Sequence, residues 1–221
     1  MGMSPSTDPQ EHSTPANSAD AMRGIITRAA LNRRSIRKYR DTPLPDHDIR
    51  EMLRLAARAP SAWNVQPWRF IVVRDLAIRE KLRSAAYGQP QVLVAPAVVV
   101  LYSDMADALA NFSATINPEF TESSRAKLLA RIESEFGKMT PEARDHWGLA
   151  QSNIVLGYLL LIAEAFGIST SPMLGFDPKA VRSLFSLPDH AQIAALIALG
   201  KADEEGNQPY RLDIDRLVTW S

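Results

Sequence analysis

Ala97-Val98-Val99-Val100-Leu101-Tyr102 is an unbroken apolar run with three consecutive valines, and its reading decides the fold class. It is too short for an ordinary helix, and side chains branched at Cβ suit a pleated surface, so it reads as a central strand buried on both faces. Such a strand needs cover on both sides, which predicts a sheet between helical layers. Arg69-Phe70-Ile71-Val72-Val73-Arg74 and Ile193–Leu199 read as two more strands.

Helical signals surround these strands. Asp20 is placed to cap a helix with Met22, Ile25, Ile26, Ala29 and Ala30 at helical spacing, ending near Asn32. Asp46 or Asp48 can cap a second, with Ile49, Met52, Leu53 and Ala56 on one face and Pro60 as its stop. Leu76–Ala86 reads as a third. Residues 104–138 form a helical excursion, split by Asn117-Pro118 into pieces near 105–115 and 123–136. Thr140-Pro141-Glu142-Ala143 is a strong start signal for a long helix to Phe166, closed by Gly167. Asp177-Pro178 opens a last one through Val181 and Leu184. The order predicts an α+β domain over 20–221, with sheet and helices layered α/β/α.

The first 19 residues are rich in Ser, Pro, Thr, Asp and Asn, and are expected to be a disordered tail. Residues 201–221 are polar with isolated anchors at Leu212, Ile214, Leu217, Val218 and Trp220, too apolar for a free tail, so they must pack on something. The chain of 221 residues is 46% hydrophobic and carries 25 basic and 25 acidic side chains. A neutral chain offers no global field for nucleic acid or an anionic membrane. With no cysteine, disulfides, thiolate catalysis and Cys-ligated metals are excluded, and a reducing cytoplasm is the expected location. The longest apolar stretches fall short of the ~20 residues of a membrane span, so a soluble protein is expected.

Three motifs carry chemistry. Arg33-Arg34-Ser35-Ile36-Arg37-Lys38-Tyr39-Arg40 places five basic residues in eight positions. Arg33, Ser35 and Arg37 alternate, so an extended backbone projects them to one side, where guanidinium forks and a hydroxyl suit one phosphate. Taken alone, the run reads better as a solvated basic loop. Pro60-Ser61-Ala62-Trp63-Asn64-Val65-Gln66-Pro67-Trp68 sets two amides among apolar neighbours. They can donate to and accept from a heterocycle edge, whereas Trp68, just before a strand, reads as core. Pro172-Met173-Leu174-Gly175-Phe176-Asp177 is, in isolation, a turn before a capped helix.

In this order, from about residue 20 to the end, the motifs resemble the flavin-dependent nitroreductase family. The resemblance implies a central mixed, mainly antiparallel sheet flanked by helices, in an intertwined homodimer whose C-terminal extension crosses to the partner. It implies FMN, with NADH or NADPH as co-substrate and flavin sites at the dimer interface. Arg33, Arg34, Ser35 and Arg37 would meet the phosphate and ribityl chain. Pro60, Ser61, Asn64 and Gln66 would approach the flavin of the other subunit. Gln91 and the backbone of Met173, Leu174 and Gly175 would lie by the ring, a backbone amide near flavin N5, and Arg211 would add a phosphate-side cation. Two positions depart from the family pattern: Leu174 stands where some relatives have an acid, and Pro209 where a Lys is common, with Lys201 a substitute. Trp63 stands where small hydroxyl residues are frequent and is expected to narrow the pocket.

The implied activity is an oxidoreductase taking hydride from NAD(P)H and reducing nitroaromatic, quinone or related acceptors by a ping-pong mechanism, with no side chain as catalyst because the flavin carries the chemistry. Alternatives are a reductive dehalogenase or flavin-consuming oxidase on the same scaffold, with 104–138 as a lid, or a non-enzymatic polyanion-binding protein. No G-x-G-x-x-G, P-loop or G-x-S-x-G is present, and His12, His47, His146 and His190 lack metal-ligand spacing, so no metal site is predicted.

Overall fold

The computed structural model describes residues 16–221, with side chains from residue 19. The first 15 residues of the expected tail lie outside that range, but residues 16–19 are already helical. The first helix, α1 (Ala16–Asn32), thus begins before Asp20, which pairs with Arg23 at 3.3 Å rather than capping.

Four strands, β1 (Trp68–Val73), β2 (Ala97–Ser103), β3 (Ser169–Met173) and β4 (Gln192–Gly200), form one sheet in the order β1-β2-β4-β3. Every ladder is antiparallel; the parallel component of the expected mixed sheet is the single bridge Ser35–Thr170. The central pair behaves as its sequence demands. Val99, Leu101, Ile197 and Leu199 face α2 (Asp46–Ala56) and α7 (Pro141–Ala165). Val98, Val100, Leu196 and Ala198 face α3 (Leu76–Ala85), α4 (Gln91–Val94) and α8 (Pro178–Leu184). That period-two alternation yields helix, sheet, helix layers.

β3 is the strand the sequence did not announce. Ser169-Thr170-Ser171-Pro172-Met173 has no apolar alternation, and the expected turn at Pro172 is its second half. Its place on the sheet edge tolerates a proline, which has no N–H to donate to a ladder. The two acids at the start of α2 lie in its first turn, where the helix dipole favours them; the residue before the helix is Pro45, so neither acts as side-chain cap.

The excursion folds as α5 (Met105–Ala110), a 3-10 turn (Phe112–Thr115) and α6 (Glu122–Gly137). Phe112, Ile116, Ile132 and Phe136 build a third core with Val65 and Trp147. α7 is 25 residues long and, against the sequence expectation, apolar enough by composition to cross a bilayer. It lies along the sheet instead, burying Val155, Leu159 and Ala163 there. Leu149, Leu156, Leu160 and Ile162 pack against the same core partly buried, and Ile154 and Tyr158 are the large apolar side chains that α7 leaves exposed among the described residues. Gly148 sets how closely α7 crosses β2, because a Cβ there would collide with Ser103 Oγ and meet Met105 Cγ at 2.5 Å. Gly148→Ala is expected to destabilise the fold by about 1–3 kcal/mol through overpacking, outweighing the ~1 kcal/mol that alanine gains over glycine in a helix. A lower urea midpoint with unchanged m-value is the check.

Candidate active site

α1 ends at Asn32 and the chain turns into an extended segment held at both ends. The Ile36 N–H donates to Thr170 O at 3.0 Å, and the Arg40 N–H donates to Lys201 O at 2.9 Å. Ile36 and Tyr39 are buried in the core, while Ser35 and Arg37, two of the three alternating residues, face outward with Lys38. They line an open cleft of about 600 Å³ with Tyr39, Pro90, Val94, Glu204, Gly206 and Asn207. The arginines at 33, 34 and 37 differ in what they leave available. Arg34 donates to the carbonyls of Leu31 and Arg33, closing the end of α1. Arg37 has only a long 3.4 Å contact to Ser35 O. Arg33, outside the cleft lining, buries its Nη1 with no acceptor among the described residues, a costly state for a charged group.

Glu204 is an unforeseen occupant. Its Oε1 accepts from the backbone N–H of Arg37 at 2.6 Å and of Lys38 at 3.2 Å. The Arg37 amide, ahead of the Lys38 amide and the two cations, holds this carboxyl below its usual range. An anion in the cleft must therefore be held by side chains and not by these two amides. Gly206, at φ 70°, brings the 204–207 segment onto the basic run, since a Cβ there would lie 2.7 Å from Ile36 Cδ1. Tyr39 donates to Ile36 O at 2.6 Å, and burial raises its phenol well above the ordinary value.

Beside the cleft, Pro90 is flanked by two glutamines. Gln91, only 3% exposed, donates from Nε2 to Gln89 Oε1 at 3.0 Å, and Gln89 Nε2 donates to Gly175 O at 2.8 Å. This relay ties the turn after β3 to the cleft wall. Among the described residues, the amides of Leu174, Gly175 and Phe176 donate to nothing. They are three adjacent donors on a turn whose carbonyl is fixed. Met173 is buried beneath it and the Leu174 side chain is 72% exposed. A Cβ on Gly175 would meet only Gln89 Nε2, at 3.8 Å, so nothing within one chain requires glycine there.

The 60–68 loop lies elsewhere. Ser61 Oγ accepts from the Gln66 N–H at 3.0 Å and closes the loop, Pro60 stays exposed at its start, and Gln151 Oε1 accepts from the Ala62 N–H. Gln66 Nε2 donates to Asn64 Oδ1 at 3.0 Å, and Asn64 Nδ2 donates to Thr115 O at 2.9 Å. The amides are thus linked to each other and to the excursion, and neither lines the basic cleft of its own chain. Trp63, Asn64 and Gln66 all adopt positive φ, 52°, 58° and 50°, a conformation costing about 1–2 kcal/mol for a residue with a Cβ. Trp63 packs edge-on to Phe136 at 5.7 Å and stacks on Trp147 at 6.3 Å.

The model of the nitroreductase family matches residues 30–201, a span holding the basic run, the amide loop and the β3 turn. The chain belongs to the nitroreductase family. It is 52% identical over 192 residues to a Thermus thermophilus protein named NADH dehydrogenase, covering 87% of this chain and 94% of that one. It is 32% identical over 195 residues to YdgI of Bacillus subtilis, named as an NAD(P)H nitroreductase, covering 85% and 93%. A nitroreductase of Exiguobacterium sibiricum, crystallised in complex with FMN, superposes with a TM-score of 0.82 at 26% identity, covering 89% of this chain and 97% of that one.

Two residues that the nitroreductase resemblance placed near a phosphate stand apart from the cleft. Arg211 is exposed and donates only to its neighbour's carbonyl, Tyr210 O. Lys201 Nζ donates to Gly167 O at 2.9 Å, at the end of α7. Three residues of the site went unnoticed in the sequence. Gln89 sits in a Tyr-Gly-Gln-Pro turn signal, Glu204 in the acidic Asp203-Glu204-Glu205 run, and Tyr39 at the end of the basic run; none forms a motif alone. His190 pairs through Nε2 with Asp104 Oδ1 at 2.9 Å.

Proposed function

We propose that this nitroreductase-family chain is an FMN-dependent oxidoreductase, with the phosphate on the Ser35–Arg37 side of the cleft and the ring edge at the Leu174–Phe176 amides. The observation that carries this reading is the unpaired donor set: Arg33 Nη1 buried without an acceptor and, beyond Pro90, three free backbone N–H groups. When bound, FMN supplies hydride transfer in ping-pong fashion, from NAD(P)H to a nitroaromatic, quinone or related acceptor. The protein's share is to hold and tune the cofactor. Arg33 and Arg37 neutralise a phosphate; the amides stabilise negative charge that grows on a ring edge, at no cost of reorganisation because Gln89 fixes their turn.

Gln89 is accordingly a positioning residue. Gln89→Leu removes the bond to Gly175 O and leaves the Gln91 amide buried without its acceptor. The flavin midpoint potential is expected to fall by tens of millivolts, about 30 mV per 1.4 kcal/mol for a two-electron couple, while FMN affinity changes little. An unmoved potential would detach the relay from the ring.

The active unit we propose is a homodimer, in which Asn64 and Gln66 serve the partner's site. Supporting this are the linked amides, which do not line their own cleft, the exposed Ile154 and Tyr158 of α7, and a C-terminal segment with Tyr210 90% and Trp220 89% exposed. A chain without cysteine suits a reducing compartment, and the cytoplasm is the location assigned. The deciding experiment is a visible spectrum of the purified protein after FMN addition, followed by anaerobic NADH or NADPH. A flavin band that bleaches supports the reading; no retained flavin overturns it.

A further inference from the structure

Within the excursion, away from the basic cleft, a cavity of about 380 Å³ opens between α5 and α6. Its walls are Leu109, Phe112, Leu129, Ile132 and Phe136, and its α7 end is formed by Arg144. Arg144 stands in the first turns of α7 and also borders a smaller cavity of about 180 Å³ beside Met105 and His190. Its Nε is buried without an acceptor, and its guanidinium makes no hydrogen bond or ion pair among the described residues. Glu133 also lines the larger cavity, on the α6 side, but does not pair with Arg144.

A buried guanidinium nitrogen without an acceptor is costly, and burial strengthens whatever anion reaches it. The volume lies within the range of small-molecule pockets, and an apolar wall with one convergent charge is the usual composition of such sites. The geometry points to a binding site for an amphiphilic monocarboxylate, its head on Arg144 and its apolar body between α5 and α6. A neutral apolar molecule would fill the walls and leave Nε unpaired. A strongly polar anion would meet five apolar side chains and the Glu133 carboxylate. The amphiphile satisfies both ends. Phe136 closes the cavity and packs on Trp147 at 5.0 Å, so occupancy is coupled to an aromatic cluster that includes the Trp63 loop.

The site does not depend on where FMN binds, and its test is separate. Full-length protein loaded with FMN is titrated with decanoate and with decanol, by calorimetry and by tryptophan emission. Decanoate is expected to bind about tenfold tighter or more than decanol, the range of a charge-assisted hydrogen bond. Arg144→Gln should erase that preference while leaving decanol affinity and flavin content unchanged. Leu129→Trp, at the half-exposed mouth, should block both ligands. Equal binding of the two in the unmodified protein, no binding of decanoate, or a preference that survives Arg144→Gln each overturns the assignment. The first two comparisons need no variant to fold.

Discussion

Arg37→Ala is expected to weaken FMN binding by about 10- to 100-fold, the equivalent of one charge-assisted contact of 1.5–3 kcal/mol, while riboflavin binding changes little. Arg37 is the discriminating choice within the basic run. Arg34 already donates to two carbonyls at the end of α1, so its loss would disturb the helix terminus as well as any ligand. Arg33 is partly buried beside it. The Arg37 side chain lines the cleft and has no partner closer than 3.4 Å. The Arg37–Glu204 bond is made by the backbone N–H and survives the substitution. An exposed truncation of this kind changes stability by about 0.5 kcal/mol or less, so a loss of FMN reports on the ligand and not on folding. Parallel fluorescence titrations of the apoprotein decide it. Equal weakening of FMN and riboflavin would move the phosphate off Arg37.

Ending the chain after Asn207 is expected to abolish the dimer. The removed segment carries Tyr210, Leu212, Ile214, Leu217 and Trp220, all exposed in a single chain, and only a short 3-10 turn at Ile214–Arg216 gives it local structure. Burying apolar side chains of this size contributes about 1.5–3 kcal/mol each. Five on each of two chains exceed the several kcal/mol that association costs in rotational and translational freedom. Light scattering on the truncated protein should return a monomer. It should also retain FMN poorly, because Arg211 is lost and the partner's Asn64 loop no longer completes the site. A truncated protein that still scatters as a dimer would place the interface outside this segment.

How much of this was legible in advance follows from the range of each interaction. The valines of β2, the apolar run of β4 and the Thr140-Pro141 start of α7 are local signals, and each element stands within a residue or two of its expected bounds. β3 escaped because Ser169–Met173 is polar and proline-bearing; its identity as a strand comes from β4, more than twenty residues on, and from Ser35. Although Arg33 does not line the cleft with them, the shared outward placement of Ser35 and Arg37 was legible from the alternation of the basic run. That Glu204 would occupy two of its amides was not, since the pair is separated by 167 positions.

By itself the sequence determined the helix–sheet–helix class, the membership that its ordered motifs announce, and which residue types are available for a phosphate and a ring edge. Those follow from periodicity, capping and turn chemistry, all acting within a few residues. Only the tertiary structure decided which cations remain unpaired, that Gln89 anchors the Gly175 turn, and that Arg144 faces an apolar cavity. Whether a donor is free depends on every acceptor within about 3.5 Å, and folding brings those acceptors from anywhere in the chain.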